Sequence, residues 1–213
     1  MNSAGLNYLD WFYNTNVWKD LHYRGVRTLK LPLDMWNYQE IIFQNKLHWV
    51  IETGTRHGGS ALFFADLLTA GKCDGGVITI DVTHEALNPA VAGHPAIRFL
   101  LGDSASEPVL KQVMSIVPVE RRHGLLLILD ADHAAAHVFK ELTAWVPLLK
   151  RGDYLVVEDT IVNGHPVRPE FGPGPMEAIM TYLDKFPGRL IKDEAREGKF
   201  GCTFAAHGYY KVA

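Results

Sequence analysis

One stretch constrains this chain more than any other: His48-Trp49-Val50-Ile51-Glu52-Thr53-Gly54-Thr55-Arg56-His57-Gly58-Gly59-Ser60-Ala61-Leu62. Trp49-Val50-Ile51 is a short apolar run of strand type that closes on an acid, Glu52. Gly54, Gly58 and Gly59 punctuate a turn, and Ser60 to Ala65 then opens a helical apolar pattern. Strand, glycine turn and helix form the first unit of a doubly wound α/β fold, whose ligand crevice lies at the carboxyl ends of the strands. Glycine suits such a turn because it tolerates positive φ and lets the backbone approach a ligand closely. The spacing is not the dinucleotide pattern GxGxxG, and no Gly-Lys-Ser/Thr follows as a phosphate loop requires.

The same rhythm repeats downstream. Val77-Ile78-Thr79-Ile80 closes on Asp81, roughly 20 residues after the turn, where an acid accepts hydrogen bonds from ribose hydroxyls. Ile97 to Leu101 gives a third strand, followed by Gly102-Asp103-Ser104, with Ser104 suited to cap a helix over 105–117. Residues 124–130, Gly-Leu-Leu-Leu-Ile-Leu-Asp, read as a fully buried parallel strand, followed by a helix over 135–150. Tyr154 to Val157 is a fifth strand, ending in Glu158-Asp159-Thr160. Strands alternating with helices from 48 to 158 predict one doubly wound domain over 47–213. Residues 161–175 contain four prolines and three glycines, which predicts a structured loop over the strand ends. A helix over 175–185 and an antiparallel pair, Leu190–Ile191 with Phe200–Phe204, close the sheet edge, and Gly208 to Val212 belongs with that pair.

Ahead of the first strand, residues 1–46 form an aromatic-rich helical extension that includes Tyr8, Trp11, Tyr13, Trp18, Trp36 and Tyr38. Within it, 33–42 reads as a helix with Asp34 as its cap and Pro32 just ahead. Such an extension either roofs a substrate site, forms a subunit contact, or covers one face of the sheet.

Net charge narrows the partners. At −3 over 213 residues, nothing favours nucleic acid or an anionic membrane surface. Cys73 and Cys202 lie far apart and suggest neither a disulfide framework nor a zinc site. No signal peptide is evident, and no apolar run approaches the ~20 residues of a spanning helix. The expectation is a soluble cytoplasmic protein.

Two strand ends carry acids to one rim of the sheet: Asp130 and Asp132 from one, Glu158 and Asp159 from the other. If those strands are neighbours, about 4.8 Å apart, the carboxylates repel one another unless a cation neutralises them. An all-oxygen set favours a hard ion such as Mg²⁺. His133 and His137 stand beside the acids, and we read them as a proton acceptor or substrate contact.

The acidic strand end before the glycine turn resembles the first motif of S-adenosylmethionine-dependent methyltransferases. The strings VIETGTRHGGSALFFADLL, LDADHAAAHV, YLVVEDTIVNGHPV and FGPGPMEAI together resemble the cephalosporin hydroxylase / rhamnosyl O-methyltransferase family, from about Trp36 to Tyr210. That resemblance implies a Rossmann-like class I methyltransferase sheet fed by S-adenosylmethionine and Mg²⁺. It implies cofactor contacts from Glu52, Gly54, Thr55, Gly58, Ser60, Asp81, Asp103, Ser104 and Asp130. It implies a metal held by Glu158, Asp159 and either Asp132 or Asp130, with Asp132 preferred. Asp132 or His133 is then the candidate base, with His165 second. The chain departs from the family pattern at Ala131, at Ala134 to Ala136 and in its C-terminal Cys202 to Tyr210 segment, which bears on the acceptor. The implied reaction is methyl transfer to a hydroxyl of a sugar or antibiotic-like natural product, by a protein expected to form a homo-oligomer.

Two readings compete. A non-catalytic partner of the same fold would stabilise another enzyme through the aromatic extension, although it has no need for a carboxylate cluster. A nicotinamide oxidoreductase is disfavoured by the missing GxGxxG and Tyr-x-x-x-Lys patterns.

Overall fold

The computed structural model describes residues 1–119 and 124–213. Apolar pentads become the centre of the sheet because both faces of each strand are covered. The strands are β3 (Trp49–Thr53), β4 (Gly76–Asp81), β5 (Ile97–Leu101), β6 (Leu125–Leu129) and β7 (Tyr154–Val157), all parallel. Two short antiparallel strands, β8 (Leu190–Lys192) and β9 (Tyr209–Val212), complete a seven-stranded sheet of order β5-β4-β3-β6-β7-β9-β8. The chain runs outward from β3 to β5 and then returns to the other side of β3 as β6. That reversal creates the crevice between the turns after β3 and β6.

Side chains alternate across the sheet, so each strand feeds two cores. Ile51, Ile78, Leu127 and Leu155 face α5 (Glu107–Ile116), α6 (Ala135–Trp145) and α7 (Pro175–Lys185), where Val113, Leu142, Trp145 and Ile179 meet them. Val50, Val77, Leu126 and Val156 face α2 (Pro32–Gln44) and α3 (Gly59–Ala70), with Tyr38, Ile41, Ile42 and Phe64. Helix α2 therefore belongs to the sheet core. A third apolar group joins α1 (Ser3–Asn14) to the loops after β7 and before β9 through Leu9, Phe12, Ile161, Val162 and Phe204. Between α1 and α2 lie a 3₁₀ turn (Val17–Asp20) and a small hairpin, β1 (His22–Tyr23) with β2 (Val26–Arg27). Short helices α4 (Pro89–Ala92) and α8 (Glu194–Gly198) lie between β4 and β5 and between β8 and β9.

Three local expectations change. Asp34 does not cap α2 but lies inside its first turn behind Pro32, and the cap position is Leu31, with no side-chain hydrogen bond. Fully buried, the Asp34 carboxylate accepts hydrogen bonds from Phe204 N at 2.8 Å, Thr203 Oγ1 at 2.6 Å and Tyr209 Oη at 2.8 Å. For that reason Phe200–Phe204 is no strand. Its Phe204 amide is spent on Asp34, and Tyr209–Val212 pairs with β8 in its place. Ser104 does not cap α5 either; the residue ahead of that helix is Ser106.

Candidate active site

Register builds the site. Leu129 of β6 stands opposite both Thr53 of β3 and Val157 of β7, so Asp130 and Glu158 emerge side by side at the rim. Glu158 N donates to Leu129 O at 3.0 Å, and Asp130 N donates to Thr53 Oγ1 at 3.1 Å. Asp159, the next residue, adopts φ +53°, a conformation Asp tolerates better than most residues and one that concentrates at functional sites. Its carboxylate lies 3.3 Å from His133 Nε2, and Asp130 Oδ1 lies 3.3 Å from the same nitrogen. Ligand atoms of Asp130, His133 and Asp159 all fall within 4.8 Å of one another. Asp132 is outside this group. It is exposed and lines the cavity, but its carboxylate accepts from the Ala134 amide at 2.9 Å, at the start of α6.

Glu158 is buried and already partnered. It accepts a very short hydrogen bond from Tyr38 Oη, and Lys30 Nζ stands 2.9 Å from its Oε1. Lys30 Nζ is also 2.5 Å from Asp130 Oδ2. Burial opposes the Lys30 charge, yet Asp130, Glu158 and Glu52 outweigh it and hold the ammonium well above its usual range. Burial, with Asp130 and Asp159 nearby, pushes the Glu158 carboxyl up against the pull of Lys30. For His133, burial disfavours the charged ring. Asp159 and Asp130 win, raising it to about 9.

The other half of the site follows the turn after β3. Gly54 has φ +88°, and a Cβ there would lie 2.0 Å from Asp130 O. Only glycine lets this turn press on the end of β6. Below it, Glu52 is fully buried. Its Oε2 accepts from Thr79 Oγ1 at 2.9 Å, whereas its Oε1 has no hydrogen-bond partner among the described residues. Burial raises this carboxyl to about 7 against the pull of Lys30. Thr55 Oγ1 meets Thr79 Oγ1 at 2.9 Å, and Asp81 accepts from the Arg56 amide at 2.9 Å. Asp103 accepts from the Ala105 amide at 2.9 Å. Ser104 donates to Glu141 Oε1 at 2.6 Å, and its Oγ lies 3.2 Å from His137 Nε2.

A single cavity of about 700 Å³ joins the two halves. Of the sequence-derived cofactor residues, Gly54, Thr55, Ser60, Asp81, Asp103, Ser104 and Asp130 line it. Glu52, Gly58 and Glu158 stand behind the wall, and Gly59 lines it next to Ser60. His165 is elsewhere, with its Nε2 2.7 Å from Glu177 Oε1 near the start of α7. The aromatic extension divides its duties. Tyr13 and Trp18, stacked with ring centroids 5.5 Å apart, line the cavity, whereas Tyr38 packs on the sheet and Trp11 and Trp36 are exposed.

Lys30 and Tyr38 were not among the sequence-derived site residues. Lys30 left one signal: it is a cation inside the apolar run Leu29-Lys30-Leu31-Pro32-Leu33, where an unpaired charge is costly. Arg27 and Arg168, which also line the cavity, left none.

The model of the Rhamnosyl O-methyltransferase/CmcI family matches residues 15–213. The chain belongs to that family. A rhamnosyl O-methyltransferase of Mycobacterium leprae (strain TN) is 43% identical over 208 residues, covering 98% of this chain and 90% of the relative. One from Mycobacterium tuberculosis (strain ATCC 25618 / H37Rv) is 43% identical over 202 residues, covering 95% and 82%. Among solved structures, a CmcI structure with Mg and S-adenosylmethionine superposes with TM-score 0.72 at 24% identity, covering 92% of this chain and 77% of that one. The low identity makes that last match a statement about fold, and it agrees with the Rossmann-like sheet. As a Rhamnosyl O-methyltransferase/CmcI family member, the chain places its converging acids and its glycine turn in one cavity.

Proposed function

We propose that this protein is an S-adenosylmethionine- and Mg²⁺-dependent O-methyltransferase acting on a hydroxyl of a sugar or sugar-bearing natural product. The observation that carries the reading is the single cavity in which the glycine turn after β3 meets the acids ending β6 and β7. Both groups fit the residues present. Glu52 Oε1 is a buried acceptor without a donor among the described residues, beneath the turn where a cationic cofactor would sit. Asp130 and Asp159, with Glu158 beside them, form an oxygen-rich set of the kind hard divalent cations favour, and these residues would hold the metal. Rhamnosyl acceptors enter the proposal through the names of the relatives.

When bound, S-adenosylmethionine supplies the methyl group, and a divalent cation lowers the pKa of a hydroxyl that meets it. The chain supplies the rest. Asp81 and the turn over Gly54–Ser60 orient the cofactor, and orientation is a large part of the rate enhancement in such a displacement. With their charges neutralised by the cation they would hold, Asp130 and Asp159 would no longer keep the His133 ring protonated, and its Nε2 would then be the proton acceptor for the hydroxyl. Asp130 and Asp159, each 3.3 Å from that nitrogen, fix where the ring stands. Tyr13, Trp18 and Arg168 also line the cavity, where the acceptor would meet them.

Among the described residues no helix is long and apolar enough to cross a membrane. Cys73 and Cys202 are free, which suits the cytoplasmic setting we propose. The exposed Trp11 and Trp36 are side chains that the proposed homo-oligomeric contact would use.

The test is methyl transfer from S-adenosylmethionine to a panel of rhamnosides and other glycosides, with Mg²⁺ and with a chelator. Mg²⁺-dependent transfer to at least one glycoside is expected. Transfer that is indifferent to the chelator would remove the metal from the proposal, and absence of cofactor binding would remove the activity.

A further inference from the structure

Lys30 occupies the acid cluster itself. It lies on the link between β2 and α2, and this link is fixed at both ends by Thr28 N donating to Leu21 O at 2.8 Å and Asp34 N to Leu31 O at 3.0 Å. The side chain is 2% exposed. Its Nζ bridges the two strand ends, at 2.5 Å from Asp130 Oδ2 and 2.9 Å from Glu158 Oε1. A lysine that merely satisfied one buried acid would not need to reach carboxylates from both β6 and β7. Gly59 shows how closely the link is pressed onto the site, since a Cβ there would lie 2.0 Å from Thr28 Oγ1.

We propose that Lys30 is a built-in counter-cation and a positioning residue. It holds Asp130 and Glu158 together before a divalent cation arrives, and it competes with that cation for them. The inference rests on the metal reading given above. Two consequences follow from elementary electrostatics. Without the ammonium, Asp130, Glu158 and Asp159 repel one another across a few ångströms of poorly screened interior. An incoming cation also meets one positive charge fewer beside its ligands, with His133 unchanged between Asp130 and Asp159, so its affinity rises. A lysine that only stabilised the fold would predict lower stability with no gain in affinity.

The experiment is calorimetric titration of MgCl₂ into wild type, Lys30→Met and Lys30→Arg, with melting curves for each protein with and without Mg²⁺. Lys30→Met is expected to bind Mg²⁺ at least ~10-fold more tightly, to melt lower than wild type without metal, and to gain more from Mg²⁺ because binding to the native state alone stabilises it. Lys30→Arg keeps the charge and is expected to resemble wild type in both respects. If Lys30→Met folds only when Mg²⁺ is supplied, the proposal is likewise supported. If it fails to fold even with Mg²⁺, or binds Mg²⁺ no more tightly than wild type, the Lys30 inference falls while the metal reading stands. If wild type and every variant fail to bind Mg²⁺, the metal reading falls and takes this inference with it.

Discussion

His133 stands between Asp130 and Asp159, 3.3 Å from each, and this geometry sets its charge and underlies the role we propose for it. Positioned proton acceptors contribute on the order of 10²- to 10⁴-fold. His133→Gln is therefore expected to reduce methyl transfer by roughly that factor while leaving S-adenosylmethionine affinity unchanged, as steady-state kinetics and calorimetry would read. Loss of cofactor binding instead would make His133 a structural residue. In the metal-free protein the ring is raised from 6.5 to about 9 by its acidic neighbours. A group whose folded value is raised stabilises the fold fully below its unfolded pKa and loses that contribution as pH climbs through the folded value. Wild type should thus lose stability relative to His133→Gln between pH 6.5 and about 9, and parallel melting curves across that window would contradict this. At this scale the sequence was legible where chemistry is written in acids at strand ends. It was not legible where a partner arrives from far along the chain. Asp130 and His133 are three residues apart and visible together, whereas Lys30 reaches Asp130 across a separation of 100 residues. That Asp130, and not Asp132, meets His133 and Asp159 likewise depends on the direction in which the chain leaves β6, and spacing does not carry that.

At the scale of elements, Asp34 ties α2 to the C-terminal loop. Its three hydrogen bonds from Phe204, Thr203 and Tyr209 lie wholly inside the protein. Asp34→Ala would leave the buried Phe204 amide and one of the two hydroxyls without an acceptor, at about 1–3 kcal/mol for each group left unsatisfied. Thr203 Oγ1 and Tyr209 Oη lie 3.1 Å apart, so only one of them can donate to the other. A markedly lower melting temperature is expected, with Asp34→Asn losing less. An unchanged melting temperature for Asp34→Ala would show the tie to be dispensable. The five parallel strands were readable because runs such as Leu125–Leu129 are buried on both faces and must be apolar throughout. The closing strand was misplaced for the converse reason. Phe200–Phe204 has strand-like composition, but its polar backbone is satisfied by a side chain of α2, and Tyr209–Val212 receives the ladder bonds instead. A capping residue and a long-range tie look alike in sequence; Asp34 is the second.

For the whole molecule, strand order decides what the acids can do. The cluster needs β6 and β7 adjacent, and the order β5-β4-β3-β6-β7-β9-β8 makes them so. Alternating strands and helices announced a doubly wound sheet, and the reversal beside β3 then put the glycine turn and the acids on one crevice. The aromatic extension was harder to read. Composition gave three uses for its rings, and packing distributes them, with Tyr38 on the sheet, Tyr13 and Trp18 at the cavity, and Trp11 and Trp36 at the surface. The decisive measurement is Mg²⁺ titration into wild type, Asp130→Asn and Asp132→Asn, each already saturated with S-adenosylmethionine. Wild type and Asp132→Asn are expected to bind one Mg²⁺ with similar affinity, and Asp130→Asn to lose at least ~10-fold. The opposite order, with Asp132→Asn losing the metal and Asp130→Asn keeping it, would contradict the site as drawn.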